Sequence, residues 1–112
     1  MRSEVERNAL RDILHHIDLV RHFVQGQDRE TFCADIMRVY AVTRCLEVIS
    51  EASRRLSDEL KARHPGIAWR EMAGAGNIYR HDYQDVAAPR VWETVQLALP
   101  PLRAAIALEL GL

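Results

Sequence analysis

The sequence predicts an all-α fold, an antiparallel up-and-down four-helix bundle, and three observations predict it. First, the 112 residues contain only five Gly and four Pro, about 8% against roughly 12% in average usage, so turns are few and regular segments long. Second, apolar residues recur at steps of three and four rather than alternating, the helical and not the strand period. Third, 48% hydrophobic residues in one uninterrupted pattern match a single domain spanning residues 1–112.

Each element follows from local signals. Ser3-x-x-Glu6 has the form of a capping box, so a helix is expected from about residue 4. Leu10, Ile13, Leu14, Ile17, Val20 and Val24 then form one stripe, and Gly26 offers a left-handed residue to end it. A second helix is expected from Asp28, a good cap, to just before His64-Pro65, because proline disfavours helical geometry in the residue ahead of it. Its stripe, Phe32, Ile36, Val39, Val42, Leu46, Ile49, Ser53, Leu56 and Leu60, has the spacing of a bundle seam, and this segment is expected to be the longest helix.

A shorter helix is expected from Trp69 to about His81, with Gly74-Ala75-Gly76 inside it at some cost in helix propensity. The last segment is expected to start at Pro89, suited to a first helical turn. It carries Val91, Val95, Leu99, Leu102, Ile106 and Leu110. Pro100-Pro101 must kink it or split off a short fifth helix.

Charge and composition exclude several functions. Fifteen basic against sixteen acidic side chains exclude a uniformly basic nucleic-acid binder, so any RNA contact is expected to be local. No apolar run reaches the roughly 18 residues of a membrane span, and the opening residues lack a signal-peptide core. A cytoplasmic protein with no membrane partner is expected. Cys33 and Cys45 would lie about 18 Å apart on one helix, too far for a disulfide, and are expected to be reduced core residues.

Five histidines draw attention as groups that titrate near neutrality. His15 and His22 are seven apart, but nothing marks a third ligand for a metal, so neither a metal site nor a cofactor is expected. His64 reads as a helix terminator whose charge suits a helix C-terminus. The stretch from Ile67 to Tyr83 is richer, holding Asn77, Arg80, His81, Asp82 and two Tyr beside the glycines. In a helix Asn77 and His81 share a face, so the amide can orient the imidazole for proton exchange. By spacing alone, a capping cluster at a helix end explains the same residues.

Several ordered matches make the chain resemble the HepT-like toxins of the HEPN superfamily. His81-Asp82-Tyr83 resembles the end of the family's motif, Arg, four to six residues, then His-x-Tyr. Arg44-Cys-Leu-Glu47-Val-Ile-Ser-Glu51-Ala-Ser-Arg-Arg-Leu56-Ser resembles its Arg-x-Leu-Glu-x-Ile-x-Glu-Ala stretch. Pro65-x-Ile67-x-Trp69-Arg70, and Val91-Trp92-Glu93-Thr94-Val95 followed by Leu99-Pro-Pro-Leu102, are also similar.

The resemblance implies a metal-independent RNA endonuclease, the toxin of a type VII-like toxin–antitoxin pair. It further implies a homodimer, and neutralisation by a minimal nucleotidyltransferase antitoxin that attaches AMP to Tyr83. His81 would be the acid–base group, Arg80 or Arg44 the phosphate-binding cation and Asn77 the orienting amide, with Arg70 a further cation. The motif's usual Arg position is Gly76 here. Arg80 lies one turn later, and helical side chains lean toward the N-terminus, so its guanidinium can cover that spot. Two other functions remain open: a non-catalytic helical partner of a nucleotidyltransferase, and a nucleotide-binding module.

Overall fold

The computed structural model describes residues 2–74 and 87–112. The described residues are helical and contain no strand. Helix α1 spans Glu4–Phe23, α2 Arg29–Ala34, α3 Ile36–Ser53 and α4 Asp58–Arg63. A further helix, α5, covers residues 69–74 at the limit of the described stretch. Helices α6, Ala87–Leu97, and α7, Leu99–Glu109, complete the order.

The start of α1 is as expected, with the Ser3 side chain accepting from the Glu6 backbone N–H. The other half of the expected capping box is different. Glu6 is buried, and its Oε1 accepts from the Ser57 hydroxyl at 3.0 Å instead of returning to Ser3. A capping box does form at α2, where Asp28 and Thr31 bond reciprocally. Gly26, at φ +76°, turns the chain after α1 as its position suggests.

The expected single helix from Asp28 to His64 is three helices, and α1, with 20 residues, is the longest of those named. Asp35 makes the first break. It ends α2 and caps α3 in extended geometry (φ −100°, ψ 93°). Its carboxylate receives the Arg38 N–H and Nε, while Arg38 Nη1 reaches the Phe23 carbonyl at 2.7 Å. This turn changes the phase of the stripe. Phe32 is fully buried with its ring 5.3 Å from that of Trp92, whereas Ile36, expected in the same seam, is 70% exposed. Ser57 makes the second break, in extended geometry, its hydroxyl capping α4 through the Leu60 N–H. Leu56 and Leu60 stay buried on either side of it, so helical spacing survives although the helix does not.

Among the described residues the last segment is helical from Ala87, two residues before Pro89. Pro100-Pro101 splits this segment: Ala98 separates α6 from α7, and both prolines sit in the first turn of α7. Helix α1 packs most extensively on α3 and also on α7, while α6 touches α2, α3 and α7. Leu10, Ile13, Ile17, Val42, Ile49, Val91, Leu102 and Ile106 fill the core between them. Cys33 and Cys45 are both free thiols. Cys45 is in the core, where burial pushes its thiol pKa up, and Cys33 is only half-buried at its edge.

Candidate functional site

Four of the sequence-derived site residues, Asn77, Arg80, His81 and Tyr83, lie outside the described residues, as does Gly76. Arg44 and Arg70 are described. Arg44 projects from α3 with its side chain 74% exposed, its Nη1 3.3 Å from Glu47 Oε2. A partly exposed pair of this kind leaves the guanidinium open to a further anion and adds little to stability. Arg70 is exposed on α5. Glu51, in the same stretch, pairs with Arg54 at 3.5 Å. The i,i+3 spacing is the same in both pairs, so each acid serves a different arginine.

The structure does describe how α5, the helix leading into the motif, is held. At its start the Trp69 indole N–H lies 3.2 Å from the Lys61 carbonyl and 3.1 Å from the His64 carbonyl, binding α5 to the end of α4. The His64 backbone carbonyl also accepts from the Ile67 N–H, closing the Pro65-Gly66 turn. The His64 ring is held in its turn by Glu109 of α7, Nε2 to Oε2 at 2.6 Å. An ionised carboxylate only accepts, so Nε2 is the donor in this contact.

Glu109 is a hub, 8% exposed in its side chain. Its carboxylate binds Arg63 through Nε and Nη2 at 3.1 and 2.7 Å, and Arg2 at 2.6 Å. Arg2 also donates to the Glu109 backbone carbonyl. The Arg63 guanidinium foremost, and His64 after it, hold this carboxyl at about 2, below the usual carboxylate range and against the opposing effect of burial. One carboxylate thus ties the N-terminus, α4 and the α4–α5 turn to α7.

At the far end, the Ala73 carbonyl is gripped from α3. Ser50 Oγ donates to it at 3.0 Å, Arg54 Nε at 3.1 Å and Arg54 Nη2 at 2.7 Å. Ser50 is 2% exposed and four residues before Arg54, so both reach from one face of α3. Sequence reasoning did not single out these two residues. Their one local signal was the i,i+4 spacing within the stretch running from Arg44 to Ser57.

The helix α1 histidines do other things. His16 Nδ1 lies 2.8 Å from the Asp12 carbonyl, and the exposed His15 ring meets His16 edge-on. Among the described residues no group of three His, Cys, Asp or Glu side chains is placed to hold a metal ion. No described helix is long and apolar enough to cross a membrane.

Comparison with known proteins points one way. A family model described as ribonuclease HepT-like matches residues 13–108. A protein of Thermococcus cleftensis named "Probable ribonuclease HepT" is 36% identical over 97 residues, covering 87% of this chain and 88% of its own. A protein of Methanocaldococcus jannaschii, provisionally named an RNase, is 35% identical over 94 residues, 84% of this chain and 81% of its own. Another so named, from Caldanaerobacter subterraneus, is 32% identical over 96 residues, covering 86% of each chain. No solved structure matches.

Proposed function

The chain belongs to the ribonuclease HepT-like family, and on that premise we propose that it is a metal-independent RNA endonuclease, the toxin of a type VII-like toxin–antitoxin pair. The observation that carries the reading is the family match across residues 13–108, a span that includes the His81-Asp82-Tyr83 motif. Its helices are proposed to assemble as an antiparallel up-and-down bundle, with α6 and α7 as a split last member. Two cytoplasmic copies are proposed to pair as a homodimer, which gathers cations that a chain of net charge −1 does not concentrate alone.

In the proposed reaction His81 takes the proton from a ribose 2′-hydroxyl as its oxygen attacks the adjacent phosphorus. A second proton transfer, from an imidazolium, releases the 5′-oxygen, so the bond formed and the bond broken are both P–O. Arg80, or Arg44 from α3, binds the phosphate oxygens that gain charge, the contribution a fork of N–H donors makes well. Asn77 orients the imidazole. Tyr83 is the proposed point at which a minimal nucleotidyltransferase antitoxin attaches AMP, whose charge and bulk would close the cleft.

Gly76, where the family motif has Arg, favours a second reading: a non-catalytic helical partner of a nucleotidyltransferase. One experiment separates the two. Purified protein is incubated with RNA in EDTA beside His81→Ala and Gly76→Arg. Cleavage that disappears in His81→Ala and rises in Gly76→Arg supports the ribonuclease. RNA left intact by the natural protein, with co-purification of the nucleotidyltransferase unchanged in His81→Ala, supports the partner. Equilibrium dialysis with ATP and AMP tests the nucleotide-binding alternative, and sedimentation tests the dimer.

A further inference from the structure

We propose that Arg54, with Ser50, is a positioning clamp that fixes the described part of α5, the segment that precedes the motif in sequence. The catalytic consequence rests on the ribonuclease reading above. The geometry is specific. One backbone carbonyl, that of Ala73, receives three side-chain donors from α3 at 2.7, 3.1 and 3.0 Å. Most arginines on this surface engage carboxylates; Arg54 keeps Nη1 for Glu51 and spends Nε and Nη2 on a single backbone oxygen. A guanidinium fork on one acceptor fixes direction as well as distance.

The position of that carbonyl gives the clamp its use. Ala73 directly precedes Gly74, which has no side chain of its own to pack, and an added Cβ there would meet nothing within 4 Å among the described residues. Ala73 is three residues before Gly76, four before Asn77 and eight before His81. A second polar anchor of α5 is Trp69, on the carbonyls of Lys61 and His64, and Met72 between the two packs against the core. Two polar anchors one helical turn apart set the tilt of a short helix on the core, and losing the one at Ala73 loosens the end nearer the motif. A shift of about 1 Å in a catalytic group can cost on the order of a hundredfold in rate.

The variants are Arg54→Ala, Arg54→Lys and, as control, Arg55→Ala, whose guanidinium faces Asp12 of α1 and not α5. Hydrogen exchange followed by mass spectrometry reads the clamp without reference to activity. Arg54→Ala is expected to speed exchange at least tenfold in peptides covering residues 69–74 while leaving those of α1 unchanged. Arg54→Lys, which keeps one donor group, is expected to fall between, and Arg55→Ala to match the natural protein. In RNA cleavage, Arg54→Ala is expected to lower kcat at least tenfold with KM within twofold, a split that general destabilisation does not produce. Natural exchange at residues 69–74 in Arg54→Ala overturns the clamp, as does an unchanged kcat where the natural protein cuts RNA in a His81-dependent way. If the natural protein does not cut RNA, the ribonuclease reading fails and the exchange measurement alone decides whether the clamp exists.

Discussion

Glu109→Gln tests the hub that ties both chain ends to the α4–α5 turn. The carboxyl is lowered from 4.5 to about 2, and at 1.36 kcal/mol per tenfold change in proton affinity this is roughly 3 kcal/mol of native-state stabilisation. Arg63 is half-exposed, at 51%, and solvent screening reduces the expected figure to about 2 kcal/mol. The sign follows from the depressed pKa. The unfolded chain binds the proton more tightly, so the stabilisation is complete above the unfolded pKa, near 4.5, and is lost as pH falls toward 2. Urea unfolding at pH 7 should show Glu109→Gln less stable by about 2 kcal/mol, or some 8 °C in Tm for a domain of this size. The gap between variant and natural protein should shrink by more than half on going from pH 6 to pH 3. Equal stability at pH 7, or a gap that does not change between those pH values, would refute the reasoning.

Phe32→Ala removes a fully buried ring packed against Trp92 and should cost about 3–5 kcal/mol in urea unfolding. Ser57→Ala deletes the α4 cap and also the donor to buried Glu6. A loss of about 1–2 kcal/mol is expected, with a double-mutant cycle showing coupling to Glu6→Gln. Iodoacetamide at pH 8 should alkylate half-buried Cys33 well before Cys45, since burial both covers that thiol and raises its pKa. Mass spectrometry of tryptic peptides reads the order. Gly76→Arg should raise RNA cleavage over the natural protein, and no change there would mean another cation already fills that role.

Much of the fold was legible because its signals are local. Ser3 and Asp28 mark helix starts by hydroxyl or carboxylate chemistry acting within three residues, Gly26 marks a turn, and the proline pair marks a split. The stripe from Phe32 to Leu60 was read correctly as helical but wrongly as one helix. A seam spacing is the same whether one helix or three carry it, and the breaks depend on partners far along the chain. Asp35 is an effective break because Arg38 can reach Phe23, and Ser57 because Glu6 lies beside it. Likewise the Glu6 capping box was half right: the burial of that carboxylate against α4 gave it a better partner than its own helix start.

The candidate site divides in the same way. Its proposed chemical residues, Asn77, Arg80, His81 and Tyr83, rest on the His81-Asp82-Tyr83 match and on helical spacing and lie outside the described residues, while Arg44 rests on a second ordered stretch. What supports them was not legible. Ser50 and Arg54 carry no motif, and their meaning lies in a carbonyl 19 to 23 residues away. Glu109 reads in sequence as one more acid near a chain end, yet folding surrounds it with Arg2, Arg63 and His64. By itself the sequence determined helical class, caps and the family to which the chemistry belongs, since these depend on residue type and on spacing of a turn or less. The tertiary structure alone decided where the long stripe breaks, which acid meets which arginine, and what holds α5. Those outcomes arise when groups distant in sequence leave water together, and only packing selects the pairs that do.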